Sequence, residues 1–234
     1  MRTQTVPNQK STRGGARRGS GPKRKSPRKK VRHAKREHIE GPSICHVTLC
    51  IESGIPNLRK PAIFRVIEGV FRSKKRCKSF QLVHFSVQRN HFHLVVEVDS
   101  NEDLATGMQG LKVSLARQLN THLGRSGSFF ADRYHAVLVK KVLQTKNVMR
   151  YVFTNAKKHG ITIPEGELDP YTSAHYFRGW SEVRATPVDK DAPIMPPRSC
   201  LLAEPALFYG FVSVYAEPSR LKRMDDSEFS IGPP

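Results

Sequence analysis

The sequence predicts an α+β protein built on a ferredoxin-like (RRM-like) antiparallel sheet with packed helices. Three observations predict it. Segments with period-two alternation and segments with an apolar stripe at helical spacing follow in the order strand, helix, strand, strand, helix, strand, helix; the first six make the split βαββαβ arrangement. The middle two strands are separated by Arg89-Asn90 alone, the length of a tight hairpin turn. The first two helical segments each carry one continuous apolar stripe, as helices laid over one face of a sheet require.

The first strand is expected over residues 44–51, with Cys45, Val47, Leu49 and Ile51 on one face and His46, Thr48 and Cys50 on the other. The first helix follows from Ile63, Val66, Ile67, Val70 and Phe71 at i, i+3, i+4, i+7, i+8. It ends in Arg72, Lys74, Lys75, Arg76 and Lys78, which suit both the negative end of a helix dipole and a phosphate backbone. Residues 80–88 alternate as a strand, with Val83, Phe85 and Val87 inward and His84, Ser86 and Gln88 outward. The next strand runs to Val98 and buries Phe92, Leu94, Val96 and Val98. A helix over 102–122 presents Leu104, Met108, Leu111, Leu115 and Leu119, and glycines at 124 and 127 break it. A strand over 134–140 and a third helix over 145–159, stopped by Gly160, complete the pattern. Beyond Trp180 the periodicity fades: 185–200 is Pro-rich, and 201–234 has one short apolar run and a charged end.

Composition divides the chain into a basic arm (1–42), a folded domain (43–180) and a Pro-rich, poorly ordered extension (181–234). The arm holds few large apolar residues, so alone it should be disordered. Its segment Gly14-Gly15-Ala16-Arg17-Arg18-Gly19-Ser20-Gly21-Pro22 resembles the Arg-Gly arms that lie in a DNA groove. Over all 234 residues, 40 Lys+Arg against 20 Asp+Glu give a formal charge of +20, which favours a polyanionic partner, nucleic acid before an anionic membrane. No apolar run approaches the roughly 20 residues of a membrane-spanning helix. Nor does the basic start carry the apolar stretch of a secretory signal, so a cytoplasmic, nucleoid-associated location is expected. The 4 cysteines form no C-x-x-C pair, which argues against a zinc ribbon or a disulfide framework.

The chemistry gathers on two elements. His91 and His93 are two residues apart on a strand and so share a face with Val95 and Glu97. Two neutral imidazoles at that spacing can hold one divalent cation; alternatively they hydrogen-bond at a strand end. On the third helix the core-facing positions are Val148, Tyr151, Val152, Asn155, Ala156 and His159, three of them polar. A cation on His91, His93 and the Asn155 carbonyl oxygen would sit about one helical turn from the Tyr151 hydroxyl. Tyrosine is a covalent nucleophile, and a hard cation, Mg²⁺ or Mn²⁺, would polarise a phosphate for in-line attack. Glu97 is a candidate acceptor orienting a ligand histidine.

These residues resemble the single-tyrosine transposases of the HUH superfamily (His-hydrophobic-His). His46-Val47-Thr48 is similar to the family's first strand, and Gln88-Arg89-Asn90-His91-Phe92-His93-Leu94-Val95 to its central motif. Phe129-Phe130-Ala131-Asp132-Arg133-Tyr134-His135 resembles the segment leading into the next strand. Arg150-Tyr151-Val152-Phe153-Thr154-Asn155-Ala156-Lys157-Lys158-His159 resembles the nucleophile helix. The Asn and the basic extension look most like the REP-associated tyrosine transposase branch. The resemblance implies cleavage and rejoining of single-stranded DNA bearing hairpins, through a 5′-phosphotyrosine at Tyr151, with Mg²⁺ or Mn²⁺ on His91, His93 and Asn155 and with a homodimer open as the assembly. The acidic end at Asp225, Asp226 and Glu228 departs from the second basic stretch common in the family.

Candidate DNA contacts are Arg17, Arg18, Lys74, Lys75, Arg76, Arg89 and Arg133. Phe129, Phe130 and Tyr134 either stack on unpaired bases or pack in the core, while His84, His122 and His135 read as structural. Two other readings stay open: a catalytically silent nucleic-acid-binding protein of the same fold, and a zinc-dependent hydrolase with Glu97 as its general base.

Overall fold

In this computed structural model, whose described residues are 37–73 and 78–217, the elements follow the predicted order. They are β1 (Ser43–Cys50), α1 (Pro61–Ser73), β2 (Phe80–Val87), β3 (His91–Val98), α2 (Asn101–His122), β4 (His135–Val139) and α3 (Val142–Lys158). The sheet order is β2-β3-β1-β4 with every neighbouring pair antiparallel, as the split arrangement demands. β1 and β3 are therefore the central strands, and every residue of β3 is buried. Arg89 and Asn90 form the β2–β3 turn, closed by Gln88 N–H donating to the His91 carbonyl at 2.9 Å.

One face of the sheet carries α1 and α2. Ile63, Ile67, Val70 and Phe71 of α1 and Leu104, Met108, Leu111, Leu115 and Leu119 of α2 meet Val47, Leu49, Phe85, Phe92, Leu94 and Val96 in one core. Both helices start where the sequence provides for it. Pro61 opens α1, where its missing N–H costs nothing. Ser100 caps α2 by accepting from Asp103 N–H at 3.1 Å.

The expectation of helices over one face holds for α1 and α2 but not for the domain, because α3 and the chain beyond it cover the other face. Val148, Met149, Val152 and Phe153 of α3 pack there with Ile44, Val83 and Val95, and Phe177, Trp180, Leu202, Val212 and Val214 close the cluster. The strict alternation predicted for β2 also fails at one point. A register shift between Leu82 and His84 inserts a residue, so Val83 joins His84 on the α3 side.

Residues 181–217 are packed rather than loose. Ala192 and Ile194 enter the first core, and of the two one-turn helices that follow, α4 (Cys200–Ala203) and α5 (Pro205–Phe208), α4 adds Leu202 to the second. A backbone hydrogen bond to β2 helps hold this segment, Met195 N–H donating to the Leu82 carbonyl at 2.8 Å, and upstream of it Val87 N–H of β2 donates to the Tyr171 carbonyl at 2.8 Å. These contacts cover an edge that would otherwise invite strand pairing. A buried bidentate pair adds a tether: Arg59 donates to both Asp169 oxygens at 2.8 Å and to the Val87 carbonyl at 3.0 Å. Among the described residues no helix is long and apolar enough to cross a membrane.

Gly107 marks the tightest contact between α2 and the sheet. A methyl group there would lie 2.1 Å from Phe80 Cγ. Helix propensity alone would make Gly107→Ala stabilising by about 1 kcal/mol, but overpacking costs about 1–3 kcal/mol. Urea unfolding should show Gly107→Ala to be destabilised; a stabilised variant would contradict this packing.

Candidate active site on the histidine face of the sheet

β3 delivers His91 and His93 to the face covered by α3, and β1 brings a third imidazole beside them. The register pairs Thr48 with His93 and His46 with Val95, which brings His46, Thr48, His91 and His93 together as one polar cluster. His46 and His93 have ring centroids 5.2 Å apart, and His91 and His93 4.8 Å apart. The sequence placed His46 on the polar face of β1 and in the His46-Val47-Thr48 element; its clustering with His93 comes from strand register, which sequence spacing does not give.

α3 lays Tyr151 against this island. The phenol ring is half-buried, 5.1 Å from the His93 ring and 6.0 Å from the His46 ring, edge-on to both. One turn on, Asn155 is completely buried. The helix runs three residues further toward its N-terminus than the pattern predicted, and ends in a Schellman turn. Gly160, at φ 68°, donates to the Lys157 carbonyl, and Ile161 N–H reaches the Ala156 carbonyl at 3.0 Å. That turn places His159 with its ring 5.1 Å from His91. It also leaves Lys158 Nζ 5.4 Å from the centroid of the Tyr151 ring, a cation beside the phenol that the sequence reading did not single out. Tyr151 meets the His93 and His46 rings, Asn155 lies buried one turn further along α3, and His159 sits at the rim, exposed.

Three polar atoms of this site are buried with no protein partner: His93 Nε2 and both Oδ1 and Nδ2 of Asn155. Buried polar groups are nearly always satisfied, so these atoms are open to a ligand or to water. Burial also keeps the imidazoles uncharged. It lowers His91 to about 4, with the charges of His159 and Lys158 adding to it, and His93 well below its usual range, with His46 adding to it. His46 falls to about 4 for the same first reason. Neutral imidazole is the metal-binding form. Among the described residues no group of three or more His, Cys, Asp or Glu side chains converges on one point, and a donor set of two imidazoles and an amide oxygen needs none. These residues fit a divalent cation that accepts nitrogen and oxygen ligands.

Glu97 does not serve the histidines. It lies four residues along β3 from His93, about 13 Å by strand rise, and its buried carboxylate accepts the N–H groups of Arg198 and Ser199, each at 2.7 Å. A carboxylate tied to two backbone amides is a poor general base, which removes the candidate the hydrolase reading needed. Of the candidate DNA contacts, Arg89 is exposed on the β2–β3 turn and Arg133 is exposed ahead of β4. Arg17, Arg18, Lys74, Lys75 and Arg76 lie outside the described residues. Phe129 and Phe130 belong to the first core, with Lys112 Nζ 5.0 Å from the Phe130 ring centroid.

A ferredoxin-like sheet carrying a His-hydrophobic-His strand, faced by a helix with a tyrosine, defines the HUH single-tyrosine class. The model of the IS200-like transposase family matches residues 43–155, from the start of β1 to Asn155, and the chain is similar to that family over this span. Among solved structures the chain is similar to a REP-associated tyrosine transposase bound to a REP hairpin. The two share 16% identity with a TM-score of 0.51, over 62% of this chain and 84% of that one, a likeness of fold. It also aligns with a candidate transposase from Deinococcus radiodurans R1 at 16% identity, over 53% of this chain and 95% of that one, with a TM-score of 0.37. No curated protein matches the chain.

The buried histidines make stability depend on pH in a definite direction. His84, structural and paired with Ser173 Oγ at 3.1 Å, is lowered by burial to about 3. A folded-state value below the ordinary 6.5 means that the unfolded chain takes up protons first as pH falls. Stability contributed this way is complete above pH 6.5 and is lost as pH drops from there toward about 4. In metal-free buffer the urea midpoint should fall across that window, less steeply in His84→Gln. A midpoint that stays flat would contradict the burial of these rings.

Proposed function

We propose that this protein is a metal-dependent DNA strand transferase that cleaves and rejoins single-stranded, hairpin-bearing DNA. Tyr151 is the nucleophile, and His91, His93 and Asn155 hold Mg²⁺ or Mn²⁺. The observation that carries this reading is the phenol ring 5.1 Å from His93, with the orphaned His93 Nε2 and Asn155 amide on the two facing elements. The match of residues 43–155 to the IS200-like transposase family supports DNA as the substrate. The REP hairpin bound by the structurally similar protein supports a hairpin-bearing strand.

Tyr151 Oη attacks the phosphorus of a DNA phosphodiester as its proton leaves. The bond from phosphorus to the 3′ oxygen breaks, that oxygen takes up a proton, and the 5′ side stays on the enzyme as a phosphotyrosine. Attack by a free 3′-hydroxyl reverses the sequence, restores the phenol and needs no external energy source. The cation, when bound, polarises the phosphate and offsets the charge that develops on it. Lys158 adds a positive charge beside the phenol, where that phosphate arrives. One chain supplies both the histidines and the tyrosine, which supports use of Tyr151 on its own histidine pair. Arg89 and Arg133, with Arg17, Arg18, Lys74, Lys75 and Arg76, are proposed phosphate contacts, so binding should weaken steeply with salt.

Incubation with labelled hairpin DNA and Mn²⁺ should give a denaturation-resistant protein–DNA adduct. Tyr151→Phe should give none while still binding the hairpin. An adduct from Tyr151→Phe would refute the assignment, and no adduct from the wild-type protein would favour a catalytically silent DNA-binding protein.

A further inference from the structure

The proposed chemistry leaves His46 and Thr48 of β1 without a task. The two nitrogens of the neighbouring His93 are in opposite circumstances. Nε2 is buried and has no protein partner. Nδ1 has two, His46 Nε2 at 3.2 Å and Thr48 Oγ1 at 3.3 Å. A neutral imidazole carries one N–H and one lone pair. Only when Nδ1 bears the hydrogen does Nε2 offer its lone pair to a cation. At His91 that division is already made: Nδ1 lies 2.8 Å from Asn90 Oδ1, an acceptor only, so His91 Nδ1 donates and Nε2 carries the lone pair. At His93 both partners of Nδ1 can donate as well as accept, so the choice passes to them. The His46 and His93 ring planes differ by only 26°, with centroids 5.2 Å apart, a spacing that suits rings joined end to end through one N–H···N bond.

We infer that His46 is a positioning residue: its Nε2 accepts the His93 Nδ1–H and thereby holds His93 in the tautomer that presents Nε2 to the divalent cation. This rests on the metal-site reading above. His46 then carries its own hydrogen on Nδ1, and the Thr48 hydroxyl is a second acceptor for the same N–H. Partners of this kind fix ring orientation and tautomer at metal sites, and their loss weakens metal binding by about 10–100-fold.

The test uses the full-length protein. Nitrogen-15 NMR of histidine-labelled, metal-free protein should show His93 protonated on Nδ1 in the wild type and in His46→Gln, whose side-chain oxygen can still accept. In His46→Phe it should shift toward Nε2–H. Mn²⁺ titration followed by electron paramagnetic resonance should show His46→Phe weakened by about 10–100-fold and His46→Gln much closer to wild type. Wild-type binding with unchanged tautomer in His46→Phe, while His93→Ala loses the ion, would overturn the role of His46 and leave the metal site standing. A wild-type protein that binds no Mn²⁺, or a His93→Ala variant that binds it undiminished, would overturn the metal site and this inference with it. Should His46→Phe fail to fold, the wild-type spectrum still decides: His93 protonated on Nε2 overturns the inference.

Discussion

The structure depends on one packing arrangement: α3 lies across the face of the sheet that carries its histidines. A sheet face with several imidazoles would ordinarily be left to water. Here burial strips nearly all water from His46 and His93 and all of it from Asn155 on α3. Each buried polar atom without a partner costs about 1–3 kcal/mol. The domain tolerates that cost at His93 and Asn155 within one small patch, which is how a fold keeps ligand positions ready before the ligand arrives. The same desolvation holds the imidazoles neutral, so the cost and the capacity to bind a cation have one physical cause.

The rest of the fold keeps that helix in place. The histidines stand on β1 and β3, the two strands with neighbours on both sides, where backbone positions are most firmly set. α1 and α2 fill the opposite face with an apolar core and fix the sheet from behind. Phe153 of α3 packs against His84 of the sheet with ring centroids 5.2 Å apart and against Phe177 and Trp180 at 5.1 and 5.5 Å, so the later chain braces the helix beside the sheet. Trp180 is itself anchored by donating Nε1–H to the Ala174 carbonyl at 2.8 Å. Glu97 and Asp169, both buried, tie the later chain to β3 and to the loop before α1. The two acids thus support the site from a distance without entering it.

Much of this was legible in the sequence because it rests on local periodicity. The apolar stripes of α1 and α2, the alternation of β3 and the two-residue turn at Arg89 and Asn90 each follow from spacing alone. So does the row of Tyr151 and Asn155 on one face of α3. What spacing could not show depends on contacts between distant segments. The meeting of His46 with His93 is a matter of strand register. The shift that turns Val83 toward α3 is a single inserted residue inside a regular-looking strand. The packing of 181–217 comes from isolated apolar residues such as Ile194, Leu202 and Val212, each placed by hydrogen bonds to β2 or by the second core rather than by a repeat. Glu97 was misread for a related reason: a strand pattern gives the face of a side chain but not its partner.

The central claim is that the strand with His91 and His93 and the helix with Tyr151 and Asn155 enclose one cation site. A crystal structure soaked with Mn²⁺ and phased on its anomalous signal tests this most directly. The account predicts one strong peak within bonding distance of His91 Nε2, His93 Nε2 and Asn155 Oδ1, with the Tyr151 hydroxyl close by and open to solvent. A peak elsewhere, or an ion held by the histidines while Asn155 and Tyr151 face away from it, would contradict the account.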